Sequence, residues 1–417
     1  MPSLDTIPME LWIAAVLALY MAWAIGANDV ANAMGTSVGS GALTIRHAII
    51  VAALLEFLGA FLAGGHVTDT VRKGMLDMDM VSQDQLIYGM LAALASAATL
   101  LLGATRLGLP VSTTHAIVGA IVGFGAVGVG MDAVNWGKVG QIVVSWVSSP
   151  LLAGVIAFGI FQFTRVMILD RTKPLEHVRK LGPFFFFFVF FIIGLVTLFK
   201  GLKNLNLDLN LPEALLGSAL LGLVGAGIGA FFIRRVHSGE SDPNHRFDQV
   251  ERVFVVLQIL TACAVAFAHG SNDVANAIGP LAAISSAVSA SELASKAPVA
   301  PWMLAIGGVG IVVGLATWGY RVMETIGKRI TELTPSRGFA AELAAATTIV
   351  IASRLGIPVS TTHTLVGAVL GVGMARGIGA IDLRVVGSIF ISWVATLPIA
   401  AGLSIFFFYF FKGLLTP

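Results

Sequence analysis

Long apolar runs separated by short polar connections dominate the chain, and runs of about 20 apolar residues have the length a helix needs to cross a hydrocarbon layer. Twelve helical segments are expected, near residues 9–33, 46–64, 85–104, 111–130, 139–168, 183–199, 212–233, 250–277, 301–322, 338–352, 359–375 and 385–411. The ten-residue alternation of a membrane barrel is absent, so helices are the spanning elements. The fold class expected is all-α, a polytopic membrane protein. The two most polar connections, 165–182 and 234–252, read as loops around a central pair of helices.

Composition supports this. Hydrophobic residues make up 57% and charged residues 12% of the chain, with a mean hydropathy of +0.90, whereas a soluble domain carries about 25% charged residues. A net charge of +2 gives no reason to expect a nucleic-acid partner. The single cysteine, Cys263, excludes an internal disulfide framework. Glu10 stands where a cleavable signal would be basic, so the first apolar run is read as a span.

Two motifs occur twice. Gly26-Ala27-Asn28-Asp29-Val30-Ala31-Asn32-Ala33 returns as Gly270-Ser271-Asn272-Asp273-Val274-Ala275-Asn276-Ala277, and Leu107-Gly-Leu-Pro110-Val-Ser112-Thr113-Thr114-His115 returns as Leu355-Gly-Ile-Pro358-Val-Ser360-Thr361-Thr362-His363. The separation from Asn28 to Ser112 is 84 residues and from Asn272 to Ser360 is 88, so the copies also share their spacing. A first repeat over 1–170, a connecting region with two inserted helices over 171–249, and a second repeat over 250–417 are expected. Each repeat has five segments. Lys and Arg divide 17 to 8 between alternate sides, and the excess marks the cytoplasmic side, which puts both termini outside. An odd number of crossings separates the two copies, whether or not the Leu-Gly-x-Pro elements turn back as hairpins. The repeats are therefore expected to be inverted, the pattern of a secondary transporter with a midplane site.

The residue types suit paired ions. Ser112 and Ser360 are placed to cap helices whose free N–H groups attract anions, and the hydroxyls of Thr113, Thr114, Thr361 and Thr362 add donors. No lysine or arginine lies in either motif. Asn28, Asp29, Asn272 and Asp273 offer oxygen ligands to a hard cation such as sodium, with Asn32 and Asn276 on the same helical faces. Carboxylates facing an anion favour one that carries a proton, which hydrogen phosphate does and sulfate does not.

These strings resemble the signatures of the PiT family of inorganic phosphate transporters, over essentially the whole chain. The resemblance implies phosphate uptake by symport, driven by sodium in many members and by protons in others. It assigns Asn28, Asp29, Asn272, Asp273 and the triplets 112–114 and 360–362 to the transport site. In the resulting assignment Asp29, Asp273, Ser112, Thr113, Thr114, Ser360, Thr361 and Thr362 hold phosphate. Asn28, Asp29, Asn272, Asp273, Ser112 and Ser360 hold sodium as co-substrate. Asn32, Asn276, His115 and His363 stand behind them, and no organic cofactor is expected. The second copy departs at Ile278-Gly279-Pro280, where the first has Met34-Gly35-Thr36.

The expected protein is thus no enzyme but a sodium-coupled phosphate importer of the plasma (inner) membrane, with a proton-coupled phosphate or sulfate symporter as the alternative. A hydrolase with a Ser or Thr nucleophile and a histidine base is disfavoured, because the motif is duplicated. Glu56 and Glu342 lie in apolar segments and are candidates for an ion path or gate. Gln258 is a candidate lining residue, and His269, lacking a counterpart in the first copy, is a weaker candidate than His115 and His363. The Ser145-Trp146 and Ser392-Trp393 pairs read as packing beside Pro150 and Pro398. The run Phe184 to Phe188 is a candidate contact with lipid or a second subunit, which makes a homodimer a candidate assembly.

Overall fold

The computed structural model describes residues 8–64, 75–198, 209–235, 246–289, 299–354 and 359–416. In these residues the chain forms α1 (Met9–Gly39), α2 (Ile45–Ala63), α3 (Gln83–Arg106), α4 (Thr113–Phe124), α5 (Trp136–Thr164), α6 (Pro174–Val196) and α7 (Leu211–Arg234). It continues with α8 (Arg246–Ser289), α9 (Pro301–Trp318), α10 (Tyr320–Glu324), α11 (Pro335–Arg354), α12 (Thr361–Arg376) and α13 (Leu383–Leu415). Among the described residues, nine helices are long and apolar enough to cross a membrane, and one isolated bridge, Leu76 with Val134, stands in place of any sheet.

The two copies pack reciprocally. α1 lies against α9 as α8 lies against α2, α4 lies against α13 as α12 lies against α5, and α1 and α8 meet each other. Glycine sets the closeness of these crossings, as small residues do where membrane helices meet. A Cβ on Gly26 would stand 2.0 Å from the Ile311 carbonyl oxygen, and one on Gly270 2.1 Å from that of Glu56. The first residue of each motif is therefore glycine because a neighbouring backbone occupies the side-chain space. The caps repeat too: Ser112 Oγ accepts the His115 N–H and Ser360 Oγ the His363 N–H, both at 3.2 Å.

Several boundaries differ from the sequence reading. Helix α8 runs on through Pro280, which removes one helical hydrogen bond, and burial of Leu281, Ile284 and Ala287 holds the continuation. The connection expected over 165–182 is mostly helical. A π-turn follows α5 at 165–169, and α6 starts at Pro174, a favoured first helical position, with Val178 buried and Glu176 and Lys180 outward. The single helix expected over 301–322 divides at Gly319, where a Cβ would meet Val30 of α1 at 2.4 Å.

The phenylalanine run faces inward more than expected. Phe185 packs edge-on against Phe339 at 5.5 Å, and Phe186 and Phe187 fill space left by Gly229 and Gly222 of α7. Phe184 and Phe188 stay exposed.

Candidate functional site

The four repeated segments meet in one buried place. Asp29 lies on α1, 20 residues into the helix, and Asp273 lies well inside α8; both are about 1% exposed. The N-terminus of α12 reaches both of them. Thr361 Oγ1 donates to Asp273 Oδ2 at 3.3 Å, and Thr362 Oγ1 approaches Asp29 Oδ1 at 3.5 Å. Cross-copy contacts extend the set: Asn32 Nδ2 donates to Thr362 Oγ1 at 2.8 Å and Asn276 Nδ2 to Thr113 Oγ1 at 3.3 Å. Each asparagine lies three residues beyond the motif aspartate, so one helical face presents carboxylate and amide together.

The first Leu-Gly-x-Pro turn lies beside this centre. Asn28 Nδ2 donates to Thr105 Oγ1 at 2.9 Å and to the Leu109 carbonyl at 3.1 Å, while its Oδ1 accepts the Val111 N–H at 3.2 Å. Gly108 adopts φ +66°, a left-handed conformation suited to glycine, and its carbonyl accepts Thr325 Oγ1 at 2.8 Å. Asn28 is 11 residues from the end of α1, about 17 Å at helical rise. The turn therefore enters the bundle at the level of the site, and α3 and α4 form a hairpin with its tip there. Residues 355–358, the second such turn, lie outside the described residues. Asn272 Nδ2 donates to Asp273 Oδ1 at 2.9 Å and so orients it. Thr114 is half-buried and makes no hydrogen bond among the described residues.

His269 is the residue that sequence reasoning ranked too low. Its Nε2 lies 2.7 Å from Asp273 Oδ2 and 3.8 Å from Asp29 Oδ2, and its Nδ1 lies 3.3 Å from Glu56 Oε1. All four side chains are at most 1% exposed. Three carboxyl groups thus surround one imidazole, and Asp29, His269 and Asp273 each offer a ligand atom within 4.8 Å of the others. The signal was available: His269 precedes Asp273 by four residues, which puts both on one helical face, and an ionisable group in an apolar helix is a functional candidate by default.

The asymmetry is local. Ile25 occupies the position matching His269, and Ile311 meets Gly26 as Glu56 meets Gly270. The acid and the imidazole therefore belong to one of the two reciprocal crossings only, that of α8 with α2.

Behind the hydroxyl triplets, the two motif histidines and two tryptophans form a cluster of four rings. His115 lies 3.5 Å from Trp146, His363 lies 3.5 Å from Trp393, and the imidazoles are 4.3 Å apart, centroid to centroid. His363 Nδ1 is 3.2 Å from the Trp146 carbonyl oxygen, and Trp393 Nε1 donates to that of Pro110 at 3.2 Å. The Ser-Trp pairs thus supply the walls against which the motif histidines pack, and they join the two copies at the bases of α4 and α12.

Glu342 belongs to a separate polar cluster. It accepts Thr36 Oγ1 at 2.5 Å, Ser37 Oγ at 2.7 Å, Thr261 Oγ1 at 2.6 Å and Gln258 Nε2 at 3.4 Å. Thr36 follows Asp29 by seven residues, about 10 Å along α1, so Glu342 and Gln258 lie apart from the aspartates.

A bundle of apolar helices with buried carboxylates, amides and hydroxyls drawn from two duplicated halves defines an integral membrane transporter rather than an enzyme. Residues 25–404 match the phosphate transporter family, and the chain belongs to that family. It is 47% identical over 401 residues to a Haemophilus influenzae protein named "Putative phosphate permease", covering 95% of this chain and 96% of that one. A Pyrococcus abyssi protein of the same description is 46% identical over 407 residues, covering 96% and 98%. A solved structure described as "The sodium-dependent phosphate transporter" superposes with a TM-score of 0.89 at 42% identity, covering 98% of this chain and 100% of that one.

Proposed function

We propose that the protein imports inorganic phosphate together with sodium by alternating access, through the one site where Asp29, Asp273, Thr361, Thr362 and Thr113 meet. The observation carrying this reading is that α12 of the second copy touches the aspartates of both copies. The family and the similarity to a sodium-dependent phosphate transporter support it. Residues 1–170 and 250–417 act as inverted repeats around this site, and both termini face outward.

Charge explains the coupling. Asp29, Asp273 and Glu56 face a single imidazole, so the site favours cations and repels a lone anion. A pair of like unit charges at 4 Å costs about 4 kcal/mol at an effective dielectric of 20. Sodium held by aspartate, asparagine and hydroxyl oxygens removes that repulsion, and phosphate then binds at the donor-rich helix starts of α4 and α12. Asn28 Oδ1 keeps a lone pair beyond its bond to Val111, and Asn272 holds Asp273 in register. Ser112 and Ser360 cap α4 and α12, which fixes the N–H groups that face the anion. The proton of hydrogen phosphate finds an acceptor in an aspartate, and sulfate has no such proton to donate. Because each ion binds well only with the other present, neither crosses alone.

Labelled phosphate uptake into proteoliposomes, under sodium and proton gradients imposed separately, tests this. Accumulation is expected with an inward sodium gradient, with sulfate failing to compete. Accumulation driven by protons in the absence of sodium would establish the proton-coupled alternative instead.

A further inference from the structure

We propose that the cleft between the α10–α11 and α12–α13 connections holds the headgroup of an anionic phospholipid. The cleft has a volume of about 620 Å³, and its lining includes Lys328, Arg329, Thr331, Glu332, Asp382 and Arg384. It is a built feature of the fold: the Asp382 N–H donates to the Ile330 carbonyl at 3.0 Å, and Thr331 Oγ1 donates to the Ala380 carbonyl at 2.8 Å, which ties the two connections together.

The balance of free charge in the cleft is positive. Glu332 is held by Arg376 at 3.1 Å and faces Arg337 at 3.7 Å. Asp382 caps α13, accepting the N–H groups of Arg384 at 2.9 Å and Val385 at 3.3 Å. Glu251, the neighbouring acid on α8, is bound to Ser336 N and Oγ at 2.8 and 2.7 Å. Lys328, Arg329 and Arg384 are exposed, and their side chains form no ion pair or hydrogen bond among the described residues. Two guanidinium forks and an ammonium are therefore open to a phosphate-bearing ligand, which arginine engages through paired N–H groups.

Apolar surface adjoining the cleft selects a lipid over a free anion. Ile378 is 70% and Leu383 65% exposed at its rim, and Ile391 and Val394 of α13 continue this surface at 71% and 74%. A phosphodiester in the cleft with acyl chains along α13 satisfies both. Basic pockets between spanning helices recognise lipid headgroups in this way. The cleft is distinct from the transport site: Thr361 and Arg376 stand at opposite ends of α12, a helix of 16 residues, about 24 Å long. The inference rests on the chain being a membrane transporter and not on sodium coupling.

Native mass spectrometry of the full-length protein, titrated with phosphatidylglycerol and with phosphatidylcholine, tests it. Wild type should retain phosphatidylglycerol preferentially, and the combined Lys328→Gln, Arg329→Gln, Arg384→Gln variant should bind it roughly a hundredfold more weakly, since each cation near a membrane surface contributes about a fivefold factor. Unchanged elution and phosphate uptake by that variant in phosphatidylcholine establish that it is folded. Equal retention of phosphatidylglycerol by the folded variant would overturn the proposal. So would full displacement of the lipid from wild type by millimolar inorganic phosphate, which would make the cleft a free-anion site.

Discussion

Asp29→Asn and Asp273→Asn are each expected to abolish concentrative phosphate uptake, by a factor of a hundred or more, in proteins that still purify as folded. Asparagine matches aspartate in shape but replaces one acceptor oxygen by a donor group and removes the charge. Asp273 accepts Thr361 and faces His269, while Asp29 lies between Thr362 and His269. Removing one partner from a buried charged set costs about 3–5 kcal/mol, equivalent to roughly two to four orders of magnitude in affinity. In the proposed reading both aspartates serve one site, so the double variant should be no worse than either single one. Sodium-driven uptake in proteoliposomes checks this; substantial accumulation by either variant would remove that carboxylate from the site.

The second large effect is expected at His269. His269→Gln replaces the imidazole shared by Asp29, Asp273 and Glu56 with an amide that cannot take up a proton, and the loss should again be about 3–5 kcal/mol, appearing as a lower Tm in detergent as well as lost uptake. At the reciprocal α1–α9 crossing, Ile25 of the first copy and Ile311 of the second hold the places matching His269 and Glu56, which suggests a compensating change. His269→Ile combined with Glu56→Ile should recover much of the Tm while uptake stays absent. Such a split separates the structural cost of an unpaired Glu56 from the transport role of the imidazole. If His269→Gln alone keeps the wild-type Tm and uptake, the charge account of this site is wrong.

Repetition made much of the molecule legible. Apolar runs of spanning length marked nearly every helix, and the duplicated polar strings marked the residues that α1, α8 and the start of α12 bring together. The capping roles of Ser112 and Ser360 were also readable, because serine after Pro-Val before an apolar run has few other uses. What repetition hides is asymmetry. His269 was undervalued because the first copy has Ile25 in its place, although an ionisable group in an apolar helix is a functional signal on its own. Its pairing with Glu56 is non-local, joining α8 to α2, and no local spacing predicts it.

The remaining differences have tertiary causes. Pro280 and Pro183 signal helix ends locally, but packing around both segments outweighs one lost hydrogen bond apiece. The phenylalanine run reads as a lipid face until the glycines of α7 are seen to leave space for its rings. The Ser-Trp pairs read as packing, and they are packing; their partners, His115 and His363, are set by the crossing of α4 and α5 with α12 and α13.

The proposed reading, two inverted repeats converging on shared aspartates, gives one phosphate site per chain rather than one per repeat. Equilibrium binding of labelled phosphate to the purified protein in saturating sodium measures this directly. The predicted result is one phosphate per chain, lost in Asp29→Asn and equally in Asp273→Asn. Two phosphates per chain, with each variant losing one and keeping the other, would contradict the account.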